Sequence, residues 1–148
     1  MGHTYVSALF HCVFSTKGRC QLIPSGKQTD LWAYLGGIAR TNGFKALAVG
    51  GTGDHVHVLL SLPSTVTLAK AVQLLKGGSS KWMNDSGVGG FAWQDGYGGF
   101  SIGISQQAAT IRYINNQAEH HHTRGFEAEF VAFLKKNGIE YDPSHVSG

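Results

Sequence analysis

The stretch "GGTGDHVHVLLSLP", residues 50–63, decides how the chain is read. It is a short apolar run entered through glycines and ended by Pro63, the pattern of a buried strand. It follows a second such run, "FKALAVGG", across a brief Gly-rich link, so the two form a hairpin. Side chains at i and i+2 of a strand point the same way, about 6.6–7 Å apart. His55, His57, Leu59 and Ser61 therefore share one face, and Val56, Val58 and Leu60 the other. Two imidazoles at this spacing can converge on one metal ion, and Asp54 precedes them. The pair alone also admits a plainer reading, two satisfied histidines on a half-exposed strand.

Upstream, "TYVSALFHCVFSTKG" alternates and is rich in Val, Phe and Tyr, which predicts a first strand over residues 5–15. Pro24 and Ser25 open a helix in which Leu31, Tyr34, Leu35 and Ile38 recur at helical spacing, and Asn42-Gly43 stops it. Downstream, "TVTLAKAVQLLKGGSSKWMN" is a second helix. Leu68, Val72, Leu75 and Trp82 share its buried face, and Gly77-Gly78 weakens its middle. Six glycines crowd "GVGGFAWQDGYGG", residues 87–99, a loop or hinge segment. "GGFSIGIS" is a fourth strand, "QQAATIRYINNQAEHHH" a third helix and "FEAEFVAFLKKNG" a fourth. The order β-α-β-β-α-β plus helices predicts an α+β, ferredoxin-like antiparallel sheet, with helices on one face and C-terminal helices added, in one domain spanning residues 1–148.

Composition narrows the classes. The chain has 148 residues, 42% of them hydrophobic and 14% charged, against a usual charged share of about 25%. That excludes a charged disordered tail as the theme. The net charge of +3 is mildly basic and compatible with nucleic acid. Cys12 and Cys20 form no C-x-x-C pair and are too few for a disulfide framework. The chain contains no apolar run of about 18 residues and no signal-peptide layout, so a soluble, cytoplasmic protein is expected.

The third helix offers partners for the histidines. Tyr113 and Gln117 are four residues apart and lie on one helical face, continued by His120 and Arg124. The apolar stripe is a different one: Ile111, Ile114 and Ala118. Taken alone, Tyr113 could still be an ordinary surface tyrosine.

Taken together, "HCVFSTKGR", "DHVHVLLSLP", "KGGSSKWM", "FAWQDGYGGFSI" and "YINNQAEHH" closely resemble the single-tyrosine HUH transposases of bacterial and archaeal insertion sequences. These include the related transposases associated with repetitive extragenic palindromes. The resemblance covers nearly the whole chain. It implies that His55, His57 and Gln117 bind a divalent metal and that Tyr113 is the nucleophile. It implies a homodimer whose active sites each take histidines from one subunit and the tyrosine helix from the other. The first strand, with Leu9, His11 and Val13, is a plausible pairing edge. The roles of His120, His121 and His122 are left unassigned.

The activity implied is cutting and rejoining of single-stranded DNA at hairpin-marked element ends through a 5′-phosphotyrosine. Covalent capture by tyrosine conserves the bond energy for resealing. A phenol of pKa near 10 needs help at neutral pH, and a metal supplies it by polarising the phosphate. Mg²⁺ or Mn²⁺ is expected from the His₂Gln donor set. A single strand needs basic and aromatic contacts. Lys17, Arg19, Lys76 and Lys81 are the candidate DNA-binding residues, with Trp93 and Tyr97 as candidate platforms. Tyr97 is also the reserve nucleophile. Rival readings are a domesticated single-strand nuclease or strand transferase with the same chemistry, and a ferredoxin-like nucleic-acid-binding domain without catalysis. A two-histidine phosphoesterase would have to use "HHT" at His121 and "HVS" at His145, neither on a predicted strand.

Overall fold

The computed structural model describes residues 2–117 and 125–145. Four strands form one antiparallel sheet: β1 (Leu9–Ser15), β2 (Lys45–Gly51), β3 (His55–Ser61) and β4 (Gly98–Ile102), in the order β2-β3-β1-β4. With α1 (Gln28–Thr41) between β1 and β2, and α2 (Leu68–Asp85) between β3 and β4, this is the ferredoxin-like arrangement expected. The helices α3 (Gln107–Asn115) and α4 (Phe126–Lys136) follow.

Alternation along β1 and β3 gives the sheet two different faces. Cys12, Phe14, Val56, Val58 and Leu60 join Leu31, Leu35, Ala39, Val72, Leu75 and Met83 of α1 and α2 in the main core. On the other face, Leu9 and Leu59 meet Ile114 of α3, while Val13 and Phe100 meet Phe126 and Leu134 of α4. The C-terminal helices thus cover the histidine face, and α1 and α2 cover the face behind it.

Three expectations are corrected. First, β1 begins at Leu9, not Tyr5, and Tyr5 is 91% exposed. The partners run out there, because Leu9 already faces the last residues of β3 and β4, Ser61 and Ile102. Second, β1 is no edge for pairing with another copy. It lies between β3 and β4, with its backbone groups used on both sides. The sheet's edges are β2 and β4.

Third, Gly77-Gly78 does not interrupt α2, which runs unbroken for 18 residues behind a Thr67 side chain that accepts the Lys70 N–H at 3.1 Å. Gly78 has a packing reason, since a Cβ there would stand 2.8 Å from Ile38 Cδ1 of α1. Trp82 is half-buried rather than central; its ring stacks on Tyr34 at 4.8 Å. The last part of the predicted third helix, including Ala118, His120, His121, His122 and Arg124, lies outside the described residues.

Candidate active site

The period of β3 places His55 and His57 on the C-terminal-helix face, where both are fully buried. Each ring is held by partners at one nitrogen and faces the cluster with the other. His55 Nδ1 lies 2.8 Å from Asp54 Oδ1 and 3.0 Å from Thr52 Oγ1, which itself donates to Asp54 Oδ1 at 3.0 Å. His57 Nδ1 lies 2.8 Å from Nε2 of His11, a β1 side chain of the same face. Such partners at Nδ1 orient a histidine and direct Nε2 to a ligand. His55 Nε2 faces Gln117 Oε1 at 3.1 Å, and His57 Nε2 faces Glu129 Oε1 at 2.9 Å. The same carboxylate oxygen is 3.8 Å from His55 Nε2.

Tyr113 and Gln117 reach this point because α3 docks tightly on β2. A Cβ at Gly50 would strike the Ile114 carbonyl, so only glycine permits the approach. Ile114 then anchors the helix in the core, and Tyr113 turns toward the histidines, its ring 5.7 Å from that of His57 and 6.0 Å from that of His11. The Tyr113 hydroxyl donates to Glu129 Oε2. Gln117 donates from Nε2 to the Tyr113 carbonyl at 3.4 Å, which leaves its Oε1 toward His55.

Glu129 is the residue of this cluster that the sequence reading missed. It is 1% exposed on α4, among Phe126, Phe130 and Phe133. A carboxylate is rarely buried unless it is paired or holds a metal. The signal was present in "FEAEFVAFL", where an acid falls within the apolar stripe. His11 was available in the same way, as a histidine in phase with Leu9 and Val13. Burial, followed by the neighbouring His57 and by Lys136, pushes the His11 imidazole down to about 3, against the opposing pull of Glu129. His11 is therefore a neutral partner of His57 at ordinary pH.

The donor set fits a divalent ion. His55, His57 and Glu129 each offer a ligand atom within 4.8 Å of the others, and Gln117 adds a neutral oxygen beside His55. An octahedral ion with ligands at about 2.1 Å spaces neighbouring ligands about 3 Å apart. The His55–Gln117 and His57–Glu129 separations match that spacing. Two imidazoles with two oxygens suit Mn²⁺ as well as Mg²⁺. Beside the cluster opens a cavity of about 380 Å³, lined by Tyr113, Glu129, His11, Gln106 and Lys136 among others.

The proposed DNA contacts are placed unevenly. Lys17 and Arg19 form the turn after β1, with Arg19 3.6 Å from Glu127 at the start of α4. Lys76 donates to the carbonyls of Gln94 and Gly96 at 2.8 and 2.5 Å, and Gln94 Oε1 accepts from Gly18 N at 3.0 Å. Gln94 thus ties Lys76 to the Lys17–Arg19 turn. Desolvation lowers the Lys76 ammonium from its ordinary value, with Asp95 opposing. Lys81 sits on exposed α2 surface, paired with Asp85 at 2.9 Å.

Trp93 is not a platform. It is 8% exposed, edge-on to Phe14 at 4.8 Å, and donates to Ser79 Oγ at 2.9 Å. Tyr97 is 41% exposed and lines a separate cavity of about 190 Å³. His145 is exposed in a terminal turn, Pro143–His145, and His121 lies outside the described residues. No helix among the described residues is long and apolar enough to cross a membrane.

A ferredoxin-like sheet with a His-Val-His pair on a central strand, facing a tyrosine and a glutamine one helical turn apart, carries an HUH-like metal site beside a candidate nucleophile. The chain belongs to the IS200-like transposase family, whose model, "Transposase IS200 like", matches residues 4–117. It is 28% identical over 124 residues to the ISDra2 transposase TnpA of Deinococcus radiodurans, covering 78% of this chain and 89% of that one. A crystal structure of a Deinococcus radiodurans R1 protein assigned as a transposase superposes with a TM-score of 0.63 at 28% identity, over 79% of this chain and 96% of that chain. A REP-associated tyrosine transposase, solved with a REP hairpin bound, shares the fold at a TM-score of 0.59 and 15% identity, over 95% of this chain and 87% of that chain.

Proposed function

We propose that this chain is a single catalytic domain, residues 1–148, that cuts and rejoins single-stranded DNA at the hairpin-marked ends of an insertion element. The observation that carries this reading is the meeting of the Tyr113 hydroxyl with the His55–His57–Gln117–Glu129 cluster, at the wall of a cavity that also presents Lys136. The Tyr113 oxygen attacks phosphorus, the P–O3′ bond breaks, and a 5′-phosphotyrosine and a 3′-hydroxyl result. A later 3′-hydroxyl attacks the phosphotyrosine and reseals the strand. His55, His57, Gln117 and Glu129 would hold Mg²⁺ or Mn²⁺, which when bound supplies polarisation of the phosphate's non-bridging oxygens. Lys136 and Gln106 line the space that receives the phosphate. Lys17, Arg19, Lys76 and Lys81 are the proposed contacts to the strand, of which Lys76 is already engaged by the Gln94 and Gly96 carbonyls.

The resemblance adds a partner. Two copies form a homodimer in which α3 of each reaches the histidines of the other, reproducing between chains the Gln117–His55 contact described within one.

The test uses synthetic single strands spanning the predicted hairpins beside the gene, incubated with the protein and Mg²⁺ or Mn²⁺ and run on a denaturing gel. A covalent adduct that maps to Tyr113 is expected. Cleavage without adduct, or an adduct on Tyr97, overturns the assignment of the nucleophile. Hairpin binding with neither cleavage nor adduct favours a binding-only domain.

A further inference from the structure

We infer that Glu129 is a catalytic residue that takes the phenolic proton of Tyr113, an inference that rests on the strand-cutting reading above. Three observations carry it. The two carboxylate oxygens are divided between two tasks: Oε1 faces His57 Nε2 at 2.9 Å, while Oε2 accepts the Tyr113 hydroxyl. The carboxylate is 1% exposed, set among phenylalanines, so it is shielded from water as a competing proton donor. The other acid of the cluster, Asp54, is engaged at the far nitrogen of His55, on the side away from Gln117. Glu129 also comes from α4, beyond the residues 4–117 that the family model matches.

The step balances as follows. The Tyr113 O–H bond breaks, its proton passing to Glu129 Oε2 and its electron pair staying on oxygen. That oxygen bonds to phosphorus as the P–O3′ bond breaks. The departing 3′-oxygen, on the far side of phosphorus, takes one proton from solvent, and Glu129 keeps the proton it took from tyrosine. In resealing the incoming 3′-hydroxyl gives its proton to solvent as it attacks, and protonated Glu129 returns its proton to the leaving tyrosine oxygen. A hydrogen bond already made between nucleophile and base is the geometry that general-base catalysis requires.

The test measures single-turnover adduct formation at saturating Mn²⁺, with the oligonucleotide that gives an adduct with the wild-type protein. Mn²⁺ binding is followed separately by calorimetry. Glu129→Gln keeps the shape and one oxygen, and is expected to slow adduct formation by about 100-fold or more. Glu129→Ala opens space for a small carboxylate, and added formate is expected to restore part of its rate. A Glu129→Gln rate within threefold of wild type overturns the inference. So does a Glu129→Gln defect confined to limiting Mn²⁺ and absent at saturation, which assigns Glu129 to metal binding only. Should Glu129→Gln not fold, failure of formate to rescue a folded, Mn²⁺-binding Glu129→Ala overturns it. Absence of adduct in the wild type is a different result, and it counts against the strand-cutting reading itself.

Discussion

Tyr113 and His11 line the same cavity, and single substitutions separate their roles. Tyr113→Phe removes one oxygen and keeps the ring that packs edge-on to Phe133 at 5.7 Å. It should fold as wild type and form no adduct, as read by thermal melting and a denaturing gel. His11 contributes to acid stability. Its folded pKa is about 3, against an ordinary value near 6.5. Below pH 6.5 the unfolded chain therefore binds a proton that the folded one does not. The sign is that stability is fully present above pH 6.5 and falls as pH drops toward 3, by up to about 1.4 kcal/mol per pH unit for this one site. Urea melts across that range should show a shallower fall in His11→Asn; an unchanged slope would refute the assignment. At this scale the shared face of His55 and His57, and that of Tyr113 and Gln117, were legible because local periods fix which way each points, whereas their joining in one site was implied only by the family resemblance. Glu129 was not legible, because the docking of α4 onto the sheet is a long-range event that no local period encodes.

The approach of α3 to β2 is the contact between elements on which the site depends. Gly50→Ala places a methyl against the Ile114 carbonyl, backbone that cannot swing aside. Overpacking of this kind costs about 1–3 kcal/mol. Tyr113 and Gln117 move with the helix, so adduct formation should fall in protein that is still folded, as checked by circular dichroism beside the cleavage gel. Retained full activity would mean that α3 can work from another position. Elements were largely readable from the chain, because the 2.0 and 3.6 periods and the caps are local. The placement of β1 was not, since an alternating strand looks the same whether it has one neighbour or two. Trp93 was misread for a related reason. Its glycine-rich neighbourhood suggested an exposed loop, while the bond to Ser79 and the contacts with Phe14 and Phe91 draw it inside.

For the whole molecule, the question is whether a site is completed within one chain or between two. Mixing His57→Ala with Tyr113→Phe protein decides it. If α3 is exchanged in a homodimer, half of the mixed dimers' sites receive intact histidines and an intact tyrosine, and the mixture regains adduct that neither variant forms alone. If each chain completes its own site, the mixture stays inactive. Sedimentation of the same mixture shows whether dimers are present at all.

The two-faced central strand has a consequence for how this protein tolerates change. Along β3, Val56, Val58 and Leu60 hold the main core, while His55 and His57 hold the reaction cluster. Foldedness and chemistry are therefore interleaved residue by residue. In a saturation library scored both for cellular abundance and for adduct, losses should beat with a period of two: substitutions at 56, 58 and 60 deplete the protein, whereas those at 55 and 57 leave more of it standing but silent. A lineage in which such an enzyme lost its chemistry would drift at 55 and 57 first and keep 56, 58 and 60, together with Leu59, which packs on Ile114.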